Sequence, residues 1–236
     1  MGKFWVLILV LSAAAAGQAA TVELRSGNGG GSTDTLITFL LGPPSTDFTS
    51  AFSAADFTSA QSGTAASIIT PNPAWVTSLV DDPSALWIGT SSISASFGTT
   101  GLFAQSFLLP FDVSSATLTL NFAVDNGLGE TDQGIYLNGT ALTFIGGGFS
   151  GEHTFTDSNI GSLLHAGTNT LFLDAVNDGG PGGLIYSATI TTQDVTAGAP
   201  EPSTFALIGL ALIGLAAAPR LLVRGRSGRG RQSHLS

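Results

Sequence analysis

ATLTLNFAVDNG, residues 116–127, decides the fold. Leu118, Leu120, Phe122 and Val124 fall on one side of a period-two pattern, and Thr117, Thr119 and Asn121 fall on the other. Successive side chains of a strand point to opposite faces, so this pattern is a half-buried β-strand. Asp-Asn-Gly then ends it in a turn. Working outward, the same texture recurs in TLITFLL (35–41), LFAQSFLL (102–109), GIYLNG (134–139), ALTFI (141–145), HTFT (153–156), NTLFLDAV (169–176) and LIYSATITT (184–192). These pieces are rich in β-branched and aromatic residues, which suit a pleated surface. Turn chemistry separates them: GNGGGS (27–32), GPPS (42–45), PNP (71–73), GGG (146–148) and NDGGPGG (177–183). Asn138-Gly139 predicts a two-residue type I′ hairpin, in which both central residues need positive φ. Many short strands joined by Gly-rich turns predict an all-β fold, a single β-sandwich or jelly roll.

The first half of the chain is less regular. The pentapeptide DFTSA occurs at 47–51 and again at 56–60, too short for a structural repeat and expected as edge or loop. SLVDDPSALWIG (78–89) is expected to hold a short helical turn before a buried strand carrying Trp87.

Charge is sparse and sorted. Charged residues make up 10% of the 236, well under the roughly 25% usual in soluble domains. Every Lys and Arg lies at Lys3, Arg25, Arg220, Arg224, Arg226, Arg229 or Arg231, so the stretch from Ser26 to Pro219 has neither. All 16 acids lie between Glu23 and Glu201. An acidic body without cations excludes nucleic-acid binding there, because phosphate contacts need Lys or Arg. It equally disfavours catalysis that clamps phosphate or carboxylate with Arg. The absence of Cys excludes a disulfide framework and thiol chemistry.

Both ends carry addressing segments. Met-Gly-Lys, then FWVLILVLSAAAA, then GQAA has the parts of a secretory signal peptide over 1–19, with Gly17 and Ala19 at the small-residue positions before cleavage. The sandwich is expected over 20–191, with a linker over 192–199. Beyond it, Pro200-Glu201-Pro202 precedes an apolar helix at about 204–219 and an Arg-rich tail to residue 236. The uncharged run Phe205 to Ala218 is 14 residues, short of the roughly 20 that span a bilayer, so the span is marginal. The arginines hold the tail on the cytoplasmic side and leave the body facing outward.

The order Pro-Glu-Pro, short apolar helix, Arg, together with the signal peptide, resembles the PEP-CTERM sorting signal of Gram-negative bacteria. The resemblance implies an exosortase-type membrane enzyme as partner. It implies transient insertion in the inner membrane, then release to the cell surface or the extracellular polysaccharide matrix. The tail from Arg220 is longer than that family's usual basic end, and a permanent tail anchor is the alternative. Within the body, ATLTLNFAVDNG, IYLNGTAL and the segment from IGSLLHAGTNTLFLDAV to LIYSATI are similar to the galactose-binding-domain-like jelly roll of carbohydrate-binding modules. That resemblance covers roughly 85–190 and implies a fold more than a ligand.

The candidate sites lie on turns. VDNGLGETDQG (124–134) offers Asp125, Asn126, Glu130 and Asp132. Calcium takes six to eight oxygens from such groups, so Asp125, Glu130 and Asp132 are the candidate metal ligands, although the spacing is not that of an EF-hand. A solvated turn is the competing reading. NDGGPGG offers Asn177 and Asp178, which could share a rim with Asp125 and Asn126 and contact sugar hydroxyls. A plain hairpin turn competes there. Trp75, Trp87 and Tyr136 are the candidate platforms for a sugar ring, with core packing the competing role, more strongly so for Trp87 and Tyr136. His153, His165 and His234 show no metal-ligand spacing, and no nucleophile elbow, zinc motif or phosphate loop is present. The sequence therefore predicts a non-catalytic surface or matrix protein that binds carbohydrate, with no cofactor beyond calcium. A structural matrix protein without a defined ligand is the main alternative, and a glycan-active enzyme is the third.

Overall fold

The computed structural model describes residues 19–29, 31–91 and 98–194. The leader over 1–18, Pro200, Glu201 and Pro202, the helix at 204–219 and the Arg-rich tail lie outside the described residues. In chain order the elements are β1 (Ala19–Arg25), β2 (Thr33–Pro44), α1 (Ala54–Gln61), β3 (Thr64–Ile68), β4 (Ile88–Gly89), β5 (Thr99–Leu109) and β6 (Val113–Val124). There follow β7 (Gly127–Leu128), β8 (Ile135–Leu137), β9 (Thr140–Leu142), β10 (His153–Asp157), a 3-10 turn (Gly161–Leu163), β11 (Gly167–Val176) and β12 (Leu184–Asp194).

All the strand pairs are antiparallel, in the order β10-β6-β12-β4-β3-β2-β5-β11-β8-β9. β1 joins β12 and β7 joins β11. The two-residue β4 is the seam: Leu184 of β12 faces Ile88, and Ile68 of β3 faces the same residue. Through this seam the sheet folds over on itself as a sandwich, with β10, β6, β12 and β1 in one layer and β3, β2, β5, β11, β8 and β9 in the other. The all-β, jelly-roll-type expectation holds.

β6 behaves as its alternation demands. Ala116, Leu118, Leu120, Phe122 and Val124 are buried in the main core, between the layers, with Ile37, Phe103, Leu171, Leu173 and Ile190. Each Leu, Ile, Val or Phe among them stabilises the fold by roughly 1.5–3 kcal/mol relative to exposure. Asn138 and Gly139 turn β8 into β9 with φ of 51° and 81°, the positive pair a type I′ hairpin requires.

Each layer is also covered on its outer side. Over β6 and β12, residues Ile69, Trp75, Leu79, Ala85 and Trp87 pack on Ala123 and Ile185. Over β5, β8 and β11, a phenylalanine-rich segment packs Phe48, Phe52, Phe57 and Ala60 on Leu102, Ala104, Tyr136 and Phe172.

Two first-half expectations are corrected. The second DFTSA copy is not loop but most of α1. Ser53 donates from its backbone N–H (2.8 Å) and its hydroxyl (2.7 Å) to Asp56, closing the first turn of the helix. Residues 78–89 contain no helix. Asp82 there accepts from Ser84 N–H at 3.1 Å and so holds a single turn, and the strand begins at Ile88, after Trp87.

Candidate functional site

The two predicted rim loops do meet. Asn126, at φ 39°, accepts a 3.2 Å hydrogen bond from the backbone N–H of Asp178, and Asp125 N–H donates to Gly183 at 2.9 Å. Asn126, Glu130 and Asp178 line a shallow cleft of about 160 Å³ with Gly127, Gly129, Gly146 and Val176. Asp125 is buried at 7% exposure. Its pKa is pushed up to about 6, mainly by burial and also by the charge of Asp178, with a hydrogen bond to Trp75 acting against both. Asn177 is buried as well, and its amide is committed to its own loop: Oδ1 accepts from Gly179 N–H at 2.9 Å, and Nδ2 faces the Gly180 carbonyl at 3.4 Å. Of the four predicted sugar contacts, Asn126 and Asp178 are thus the exposed ones, while Asp125 and Asn177 shape the loops from beneath. Asp125, Glu130 and Asp132 are not brought together: among the described residues no three acidic, His or Cys side chains already surround one point.

The predicted ring platforms are core residues. Trp75 and Trp87 stack on each other with centroids 4.4 Å apart, and the Trp87 indole donates to the Val76 carbonyl at 2.8 Å. Tyr136 is buried between Phe52 and Phe57, with centroids 5.5 and 5.2 Å away. None of the three offers a face to solvent.

A larger cleft opens where the phenylalanine layer meets the β8–β9 hairpin. It encloses about 400 Å³ and is lined by Phe52, Ala54, Phe57, Gln61, Asn138, Gly139, His165 and Phe172. Three elements build it. α1 brings Phe57 and Gln61 to one wall, and Thr38 anchors that helix to β2 by donating to the Ala60 carbonyl at 2.6 Å. β11 lays Phe172 on the floor, 4.8 Å from Phe57. The hairpin supplies Asn138 and Gly139, and Asn138 is held by Thr170 N–H (2.8 Å), the Leu163 carbonyl (2.7 Å) and Asn169 (2.8 Å). Gln61 donates Nε2 to the Thr170 hydroxyl at 2.7 Å, which leaves its carboxamide oxygen for a ligand. The Phe52 and Phe57 rings are half-buried, and His165 is exposed. Sequence reasoning missed this site. Its one legible sign was the cluster Phe48, Phe52 and Phe57 in a stretch with no strand or helix period.

At the opposite end of the same aromatic layer sit acidic groups. Asp174 follows Phe172 on the outer face of β11 and is fully buried. Neither of its oxygens has a donor, and Asp132 Oδ2 is likewise buried without one. Burial, then the charge of the adjacent Asp47 carboxylate and a hydrogen bond to it that the protonated form makes, then Asp132 push the Asp174 pKa up to about 9. Burial and the same three carboxylates also raise the Tyr136 phenol.

Comparison with known proteins adds the following. Residues 199–220 match the family model described as the PEP-CTERM protein-sorting motif. The chain thus carries a signal for export and exosortase sorting to the cell surface. No curated protein matches the sequence. Among solved structures, a family 35 carbohydrate-binding module from Clostridium thermocellum aligns with 14% identity and a TM-score of 0.29, over 49% of this chain and 85% of that one. The isomalto-dextranase of Arthrobacter globiformis T6, complexed with panose, aligns with 11% identity and a TM-score of 0.30, over 74% of this chain and 32% of that one. An exo-β-1,3-galactanase from Phanerochaete chrysosporium, with β-1,3-galactotriose, aligns with 13% identity and a TM-score of 0.27, over 75% of this chain and 30% of that one. The chain thus spans about a third of the length of either enzyme. Likenesses this distant speak to neither ligand nor activity.

Proposed function

We propose that this is an exported surface protein whose sandwich binds carbohydrate of the extracellular matrix, without catalysis, in the cleft beside α1. The observation that carries the reading is the composition of that cleft: half-buried Phe52 and Phe57 rings with Gln61 and His165 at the edge. A sugar needs an apolar wall for the C–H face of its ring and a few fixed polar groups for its hydroxyls. The cleft supplies both. Among the described residues its lining holds no carboxylate, whereas glycoside hydrolysis ordinarily uses a pair of them. That favours binding over turnover. The rim residues Asn126 and Asp178 are a second polar surface without an aromatic wall. Asp125 and Asn177 support it from within.

The test is binding of the full-length chain, solubilised in detergent, to a panel of neutral and acidic polysaccharides. Phe52→Ala is expected to weaken the best ligand by about tenfold, as for loss of one buried ring contact. Asn126→Ala and Asp178→Asn are expected to leave it unchanged. Loss in the rim variants with Phe52→Ala silent would move the site to the rim. No binding to any polysaccharide by the folded chain would favour a structural matrix protein without a ligand. Release of sugar from any of them would make it an enzyme.

A further inference from the structure

We propose that the cleft beside α1 takes a chain of uncharged sugar units, not a single sugar and not an acidic polymer, and that this chain continues past the cleft onto the bare end of the outer face of β2, β5 and β11. The inference rests on the reading of the cleft as a sugar site and names the class of glycan it takes. The register lays out that face. Phe172 lies beside Ala104, Thr170 beside Ser106 and Thr168 beside Leu108. Ile37 faces Gln105, which sets Leu36 next to Ser106. The phenylalanine layer covers the first of these rows, and α1 stops at Gln61. Beyond Gln61 the sheet is open among the described residues: Leu36 is 56% exposed, Leu108 is 72% exposed, and Ser106 and Thr168 are exposed as well.

Single exposed leucines are ordinary on a protein surface. These two share a face with Phe172, the floor of the cleft, and lie on a diagonal between adjacent strands that long side chains can bridge. They continue the apolar wall begun by Phe52 and Phe57. Polar groups continue with it. Gln61 Nε2 donates to the Thr170 hydroxyl (2.7 Å), which lies 2.9 Å from the Ser106 hydroxyl. Thr170 can pass its own proton to Ser106, which frees the Ser106 hydroxyl to donate outward. Apolar side chains interleaved with fixed polar groups are what successive sugar rings need. Neighbouring strands lie about 4.8 Å apart, so the path from Asn138 over β11 and β5 to Leu36 is about 14 Å, room for about three rings. Charge selects the class. Among the described residues His165 is the only titratable side chain lining the cleft. Arg25 is their sole Lys or Arg, and it pairs with Asp82 at 3.2 Å. Two acids flank the cleft: Asp56 precedes Phe57 on α1, and Asp112 accepts from Ala166 N–H, next to His165, at 3.0 Å. Carboxylates or sulfates on a glycan would meet like charge with no Lys or Arg to answer it.

The detergent-solubilised full-length chain is titrated with the mono-, tri- and hexasaccharides of the cello-, laminari- and manno-series, and with alginate and polygalacturonate as acidic probes. At least one neutral series is expected to bind about tenfold tighter as the trisaccharide than as the monosaccharide, with little further gain in the hexasaccharide. The acidic probes are expected not to bind. Leu36→Ser combined with Leu108→Ser is expected to remove most of the gain from mono- to trisaccharide. Val80→Ser, at a still more exposed aliphatic side chain in the segment over the other layer, leaves the gain intact. Circular dichroism checks that each variant folds, and should the paired variant fail, Leu108→Ser alone is expected to remove part of the gain. A trisaccharide no tighter than the monosaccharide, a gain untouched in the folded leucine variants, or tighter binding of alginate or polygalacturonate overturns the proposal. The cleft reading survives each of these if Phe52→Ala still weakens the bound glycan. No binding of any glycan by the folded chain overturns the cleft reading, and this proposal with it.

Discussion

Asp-Phe-Thr-Ser-Ala is written twice in this chain, and the two copies do different things. At 47–51 it is irregular backbone, and at 56–60 it is helix. Both phenylalanines, Phe48 and Phe57, enter the same aromatic layer. The aspartates diverge. Asp47 is buried among other acids, whereas Asp56 is half-exposed and closes the first turn of α1. The difference comes from what precedes each copy. Ser53 and two alanines set up a helix start before Asp56. Before Asp47 stand Pro43 and Pro44, the last residues of β2, and then Ser45 at φ 56°, a left-handed conformation that a right-handed helix does not contain. Five identical residues carry little conformational instruction of their own; the flanks decide.

The comparison is sharpest at the rings. Phe57 touches Phe52, Tyr136 and Phe172, with centroids 5.8, 5.2 and 4.8 Å away, while Phe48 touches Phe52 alone among the aromatic pairs, at 4.8 Å. Phe57→Ala is therefore expected to cost about 3 kcal/mol in denaturant unfolding, and Phe48→Ala less. Equal costs would mean that the helix contributes nothing beyond the loop.

The acids are expected to respond to pH in opposite senses. Asp174, beside Asp47, has its folded pKa raised to about 9 from the usual carboxylate value. The native state therefore holds its proton longer than the unfolded state. Its contribution is most favourable in acid and declines as pH rises from about 4 to 9. Asp125, raised to about 6, adds to the same decline over its lower part. Stability is expected to fall from pH 6 to pH 9, and Asp174→Asn is expected to flatten that fall. Asp56 has its pKa lowered by the bonds from the Ser53 backbone and then its side chain. Its contribution is present above the usual carboxylate pKa and is lost as pH drops through the folded value. Asp56→Ala is expected to erase that acid-side loss.

Two smaller effects complete the series. Gly139→Ala places a Cβ 3.2 Å from the Phe57 ring at φ +81°, and is expected to cost about 1 kcal/mol and narrow the cleft. At neutral pH, Asp56→Ala is expected to cost about 0.5 kcal/mol, the low end for a helix cap. Thermal unfolding of both variants beside the parent resolves them.

The main core was legible because it obeys period two. β6 shows its face in Leu118, Leu120 and Phe122, and the hairpin shows itself in Asn138-Gly139. The outer layers were not legible. They are built from segments without a period, 46–61 and 69–87, whose residues become apolar cover only once the sheet beneath exists. Trp75 is an example: nothing near it in sequence marks it as the stacking partner of Trp87. Two of the predicted rim residues, Asn126 and Asp178, lie exposed at a shared cleft, because strand ends of a sandwich gather at its rims. The carboxylate cluster left one sign. In LFLDAV, Asp174 interrupts an otherwise continuous apolar strand, and a charge placed there needs a partner that sequence alone does not name.

The first strand and the last run side by side, from Ala19 against Gln193 to Arg25 against Ser187, while β6 flanks β12 on its other edge. The described chain leaves the sandwich along β12, and the sorting motif follows it in sequence. Tension drawn through that end would act along the strand axis. The inter-strand hydrogen bonds run perpendicular to that axis, so with the sandwich held at the far end of β12 they would be loaded together in shear on both edges. For a protein displayed outside the cell, the terminal strand is thereby a mechanical clamp, whose rupture is set by the unfolding rate under load and not by equilibrium stability.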